Sequence, residues 1–553
     1  MSGRATFEPF RIPRGALPEE AAGLAAAAAA EPLLVRDGDR LPAALAAGAL
    51  VEIPAGLAGA ADEACRGADG SPAGAPGPAR ACLNSEAHRA RVEAAVRRAL
   101  DGGHAGVCLD LPDAPLALGA LGAGFCSECQ RAFAKELARD YGDHFQPLDY
   151  LALAREALAS SPGALGLERI PFGREFWRAR AEWLDRAVGA YVRAARDAAR
   201  DAARPFEVAA RFQALGPAQF HAARHLDAAL FPFADGAGSS GAGLFRLLRA
   251  VAGRRPCAVE PAAGDGLDRL AAVAAAAGVG LALPGNAPPP GGVVAVRRFA
   301  QAAAARGRSA ARTDPVAECA VLYSSESDLW SGGDHRAAVV RAGDALAGLQ
   351  VQAPVVMHPA DAASAAVLVL AGARALSPLE AQAVRRRLET GGGVLCLGEP
   401  GAVDEAGRPV PLPFPAGKPA GLKVDRGTVV QIPVPPAPRA GPAEPREAEE
   451  LARALQLLLG RGRRAASTGG RSPLHVVLYR DGTRLDAHLA TLGPGPAQGS
   501  TLFVGLLSAA DHRRGRFKSS AGADERIPMN PAGFAISTVL PAFEGYAVLS
   551  LPG

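Results

Sequence analysis

The chain has 553 residues, of which 49% are hydrophobic and 21% charged, and its net charge of +4 comes from 60 basic and 56 acidic side chains. That length exceeds one core and implies about two to four domains, while the near-balanced charge excludes the basic footprint of a nucleic-acid binder. No segment offers ~20 uninterrupted strongly apolar residues, so no membrane span is expected, and 8 cysteines in this length do not make a disulfide framework.

The N-terminus MSGRATFEPFRIPRG has no apolar signal core. With the cysteine usage it fits a reducing, cytoplasmic location. From there, short apolar runs alternate with longer helical patterns. The strand-like runs are FEPFRIP, LLVRD, ALVEIPAG, HAGVCLDLP, PFEVAARFQ, LDAALFPF, RPCAVEPA and VGLALPGN. Helical stretches such as SEAHRARVEAAVRRALDGG, REFWRARAEWLDRAVGAYVRAARDAARDAAR and DGLDRLAAVAAAAG lie between them. Strands alternating with helices predict parallel βα units. Eight such units predict a (β/α)8 TIM barrel over residues 1–310, in line with the ~250 residues plus insertions typical of that fold.

A second unit is expected over 314–415. ECAVLYSS, QVQAPVVMH, AAVLVLAG and GVLCLGEP read as strands, with GGDHRAAVVRAGDALAGL and SPLEAQAVRRRLETGGG as helices. This is the pattern of a small doubly wound α/β domain. Ser377, Pro378 and Glu380 form a capping-box start for the second helix. A third unit, 425–553, is expected to be a small antiparallel β-sandwich with one helix, EAEELARALQLLLGRG. The fold class is therefore α/β: a TIM barrel, a doubly wound domain and a C-terminal antiparallel β-domain.

In a βα barrel, chemistry sits at the C-terminal ends of the strands. Asp110 ends the fourth strand and Glu260 the seventh. Two carboxylates across a barrel mouth are what glycoside cleavage needs. One protonates the leaving oxygen, and the other attacks the sugar or activates water. Asn84, Asp113, Glu207, Arg211, Asp227 and Asn286 fall near strand ends or loops and are candidates to hydrogen-bond sugar hydroxyls.

Other motifs read as ordinary structural features. His221 and His225 have i,i+4 spacing but no evident third metal ligand. The C-x-x-C of Cys126 and Cys129 lacks a matching second pair, so it reads as the start of a helix rather than a zinc site, and no metal is expected. Cys396 in GVLCLGEPG sits where an amidotransferase nucleophile would, but with no strong His–Glu partners it reads as a strand cysteine. No Gly-rich phosphate loop follows a strand, and no cofactor is expected.

CLNSEAHRARVEAAVRRALDGGHAGVCLDLP followed by FCSECQRAFAKELARDYG resembles glycoside hydrolases with a (β/α)8 barrel. VAECAVLYSSESDLW and the stretch from VLVLAGARALSPLE to GEPGAVDEAGRPV resemble the trimerisation domain of family 42 β-galactosidases, a glutamine-amidotransferase-like fold. The end of the chain resembles the small β-domain that closes such proteins. The resemblance implies a carbohydrate substrate, Asp110 as a site position and homo-oligomerisation through the middle domain. Family 42 enzymes carry Asn-Glu at strand four, where this chain has Leu109-Asp110. Two readings follow. One is a glycoside hydrolase using Asp110 and Glu260. The other is a catalytically degenerate member serving as a carbohydrate-binding or assembly protein.

Overall fold

A computed structural model of the chain describes residues 10–11, 33–36, 49–73, 79–111, 123–142, 149–160, 171–233, 241–253, 255–261, 267–282, 314–404, 408–412, 414, 421–432, 445–460, 465–470, 472–481, 484–492, 495–505, 514–532 and 535–551. Eight strands form one parallel sheet in chain order. They are β1 (Phe10–Arg11), β2 (Leu33–Arg36), β3 (Leu50–Ile53), β4 (Gly106–Leu111), β5 (Glu207–Phe212), β6 (Ala228–Pro232), β7 (Cys257–Glu260) and β8 (Gly280–Leu281). Each falls within one of the eight runs read from the sequence.

The helices between them are α1 (Glu86–Asp101), α2 (Ser127–Tyr141), α3 (Tyr150–Ser160), α4 (Gly173–Asp201), α5 (Pro217–Ala223), α6 (Ala242–Ala252) and α7 (Leu267–Ala277). Parallel strands in sequential order with intervening helices are the arrangement of a TIM-barrel-like fold. Among the described residues, no helix is long and apolar enough to cross a membrane.

Alternation along the strands divides two faces. Leu50, Cys108, Ala209, Leu230 and Ala258 pack together on one face as a small, alanine-rich interior. Val51, Val107, Val208, Phe212 and Phe231 point the other way, into the core shared with the helices. Burial on both sides is what a parallel sheet demands. The 29-residue α4 buries Phe176, Ala179, Trp183, Ala187 and Tyr191 along one stripe, the 3.6-residue period of an amphipathic helix.

The second sheet has the order Val355–Val356, Cys319–Leu322, Val367–Ala371, Gly393–Leu397, Gly427–Ile432, Leu422–Val424. All but the last pairing are parallel. Ser377 caps Pro378–Glu389 with the expected capping box. The sheet runs further than the expected limit of 415. The hairpin formed by Leu422–Val424 and Gly427–Ile432 supplies its edge, and Leu451, Ala454 and Leu455 of the helix Pro445–Leu459 share a core with its strands. That apolar helical face finds its partner here rather than on the C-terminal sheets.

Two antiparallel sheets follow, of four and six strands, and their facing sides share one core. The six-stranded sheet also takes in Asp314–Pro315, which pairs with Leu474–Asp481.

The eight-stranded sheet with its helices, the second sheet and the C-terminal pair of sheets are joined by close packing and by buried polar groups. Gly243 of α6 crosses Gly343 of the helix Asp334–Gly348, and a Cβ on Gly243 would stand 1.9 Å from the Val340 carbonyl oxygen. Only glycine permits that approach. Gly243 N–H donates to Asp344 Oδ1 at 2.9 Å, and the buried Arg246 donates to the Gly343 and Val351 carbonyls. Buried Glu318 accepts from the backbone N–H groups of Gln352 and Ala465, and the Gln352 side chain pairs with Val476 and Leu478. Tyr479 donates to the Ala276 carbonyl in α7.

Candidate functional site

Register brings the charged strand ends together. Asp110 on β4 is the cross-strand neighbour of Arg211 on β5, and Glu260 ends β7 opposite Pro232 of β6. Asp110 and Arg211 share the inward parity of Cys108 and Ala209, so both project from the same face. Arg211 Nε donates to Glu260 Oε2 at 2.6 Å, and its Nη1 donates to Asp110 Oδ1 at 3.1 Å. The three side chains keep 17–19% of their surface exposed, so the group opens to solvent. Burial works against the guanidinium charge, but hydrogen bonding and attraction from Glu260 and then Asp110 outweigh it and hold Arg211 above its ordinary range. The strand ends are pinned as well: Gly56 N–H donates to the Asp110 carbonyl and Phe233 N–H to the Glu260 carbonyl.

The other expected sugar-binding residues do not join this group. Glu207 opens β5 opposite Gly106, at the end of the ladder away from Asp110 and Arg211, and is buried. Asp227 precedes β6 and accepts from Val208 N–H and Arg196. Both are corrected to supports at the N-terminal ends of the strands, away from the end where barrel chemistry occurs. Asn84 donates to Cys129 Sγ at 3.5 Å, which places it beside cysteines. Asp113 and Asn286 lie outside the described residues. Sequence reading passed over Glu52, a buried acid on β3. The alternation in ALVEIP gives it the inward parity of Leu50, and that was the available signal.

His221 and His225 turn to separate partners, Ser325 Oγ at 3.2 Å and Asp185 Oδ1 at 3.0 Å. Cys396 is buried in the core of the second sheet, and burial pushes its thiol up to about 12. A thiol held protonated is a poor nucleophile. Nearby, His335 accepts from Ser324 N–H with Nε2 and pairs with the Ala371 carbonyl through Nδ1, a neutral structural imidazole.

A second cluster corrects the expectation that Cys126 and Cys129 stand alone. Cys65 and Cys82, in the loop between β3 and α1, meet them. Cys126 Sγ lies 3.3 Å from Cys82 Sγ, and Cys82 Sγ lies 3.5 Å from Cys129 Sγ. The sulfurs of Cys65, Cys126 and Cys129 all lie within 4.8 Å of one another. Tetrahedral zinc with bonds of about 2.3 Å needs sulfurs about 3.8 Å apart; Cys65, Cys126 and Cys129 come within reach of such an ion, and Cys82, close to Cys126 and Cys129, is placed to be the fourth ligand. No disulfide links them.

Hydrogen bonds from Cys126, Cys129 and Cys82 hold Cys65 well below the ordinary thiol range, while Cys126, Cys65 and Cys82 push Cys129 well above it. Four crowded sulfurs ionise together only around a cation. Four protein ligands leave no open position, which suits a structural ion. The spacing rule missed the site because Cys65 and Cys82 are not a C-x-x-C. The available signal was that 5 of the 8 cysteines fall within residues 65–129, and the fifth, Cys108, is accounted for by its strand.

No protein-family model matches the chain, and no curated protein matches it. Solved structures do. The chain is similar to α-L-fucosidase isoenzyme 2 from Paenibacillus thiaminolyticus, at 13% identity and a TM-score of 0.67 over 99% of each chain. It is similar to a β-galactosidase from Bacillus circulans sp. alkalophilus, at 12% identity and a TM-score of 0.69 over 99% of this chain and 98% of that one. Gan42B, a GH42 β-galactosidase, gives 11% identity and a TM-score of 0.66 over 100% of this chain and 98% of that one. At these identities the likeness is one of fold, and the fold is that of these glycoside hydrolases.

Proposed function

Because the chain folds as these glycoside hydrolases do, we propose that it acts on a carbohydrate, as a hydrolase of an oligosaccharide or galactoside-type substrate. The observation that carries this reading is the convergence of Asp110 and Glu260 on Arg211 at the C-terminal ends of β4, β5 and β7. Glu260 serves as the nucleophile or its partner, and Asp110 as proton donor or base. Arg211 donates to both carboxylates and fixes their orientation. Proton donation by Asp110 requires its contact with Arg211 to open when substrate binds. The three-domain division, with assembly of copies through the middle domain, belongs to the same reading.

One observation favours a second reading, a non-hydrolytic carbohydrate-binding protein. Arg211 already engages both acids, and Leu109-Asp110 stands where family 42 enzymes have Asn-Glu. A panel of chromogenic galactosides, fucosides and rhamnosides separates the two. Turnover by wild type that is lost in Glu260→Gln supports hydrolysis. No turnover on any member, together with saturable sugar binding, supports the second reading. Light scattering that finds only monomer would end the assembly proposal.

A further inference from the structure

The cysteine cluster poses a charge problem. Four thiolates around a divalent cation leave a net charge of about −2. Cys65, Cys82 and Cys129 are buried, where uncompensated charge is costly.

Arg180 on α4 is 1% exposed. Gly124 ties it to the sulfurs. Gly124 has φ +93° and donates its N–H to Cys65 Sγ at 3.1 Å. A Cβ on Gly124 would lie 2.7 Å from Phe176 Cζ and 3.5 Å from Arg180 Cδ, so α4 packs directly on the ligand loop. The guanidinium lies 5.2 Å from the Trp177 ring centre and 5.5 Å from that of Phe176. Burial pushes Arg180 down to about 10.

We infer that Arg180 is the internal counter-charge of the thiolate cluster, offsetting part of the negative charge of the metal-loaded site and so strengthening its hold on a divalent ion. It is not a ligand. This goes beyond the proposed carbohydrate activity and rests on the four thiols as metal holders. The competing view is that Arg180 only fills space between aromatic rings.

The test uses the full chain, reduced, stripped of metal and titrated with Co²⁺ and then Zn²⁺ against a chromophoric chelator. Arg180→Met keeps the length of the stem and removes the charge, whereas Arg180→Lys keeps the charge. Wild type should take up Co²⁺ with the absorption of a tetrathiolate site. Arg180→Met should show the same bands with zinc affinity about ten- to a hundredfold weaker, and Arg180→Lys should recover most of the loss. Unchanged affinity in Arg180→Met, or equal losses in Met and Lys, overturns the inference. A wild type that takes up no metal removes the thiol reading instead. Should Arg180→Met not fold, Arg180→Gln replaces it. If both neutral variants unfold while Arg180→Lys stays folded and binds metal tightly, the charge role stands. If Arg180→Lys unfolds too, the packing view wins.

Discussion

The barrel mouth and the cysteine cluster are built in opposite ways. Asp110, Arg211 and Glu260 meet because parallel strands hold them in register, one side chain from each of three strand ends. Cys65, Cys82, Cys126 and Cys129 meet because a loop after β3 folds over the start of α2. The first group is partly exposed and bonded through a movable guanidinium. The second is buried and surrounded by aromatic rings. The contrast teaches where chemistry and stability separate: open charge on rigid strands can meet a ligand, whereas buried sulfur from loops stitches a fold together.

The strongest test of that division is Glu260→Gln. Turnover on an accepted glycoside should fall about 10³-fold or more, with thermal unfolding close to wild type. Asp110→Asn should behave alike. Unfolding without a specific loss of turnover would make the mouth a structural ion network and erase the contrast.

Cys129→Ser should do the reverse. It should lose metal and about 3 kcal/mol or more of stability, read by chemical denaturation, while the turnover of molecules that remain folded changes little.

A pH series sharpens the cluster side. Glu63 lies in the same loop as Cys65, and its backbone carbonyl accepts from Cys82 N–H. Burial alone would raise its carboxyl, but Gly59 N–H and Arg91 outweigh that and hold it below the ordinary 4.5. A carboxyl with a depressed folded value contributes stability that is present above its unfolded value and lost as pH falls through the folded one. Wild type should therefore weaken below pH 4.5, and Glu63→Gln should lack that limb in acid denaturation.

The smallest effect is expected from Asn84→Ala. Loss of one long donor to Cys129 should cost about 0.5–1.5 kcal/mol and speed metal release to a chelator. The KM for glycosides should not move. A raised KM would return Asn84 to the sugar-binding group.

The strands were legible because the parallel sheet imposes near-continuous apolar runs, and GVCLDLP and RPCAVEP each announce a buried strand ending in an acid. Arg211 was visible as a residue near a strand end, but its role as a bridge depended on cross-strand register, which a linear pattern does not carry. Glu207 and Asp227 went astray because a residue beside a strand run can sit at either end of the barrel. The cluster was hidden because Cys65 and Cys82 approach Cys126 and Cys129 only through loop geometry. Leu422–Ile432 joined the middle sheet because an edge position there suits a short hairpin rich in β-branched residues, Val424, Thr428, Val429, Val430 and Ile432.

The crossing of Gly243 and Gly343 has a consequence for how this protein comes apart. A single apolar core runs from the barrel helices into the helix Asp334–Gly348 and its strands. Cutting the chain before residue 314 would expose the face of α6 that packs on Asp334–Gly348 and remove the Gly343 and Val351 carbonyls to which Arg246 donates. The first two units should therefore melt in one calorimetric transition, and expression of the eight-stranded part alone should give aggregate rather than a smaller working protein.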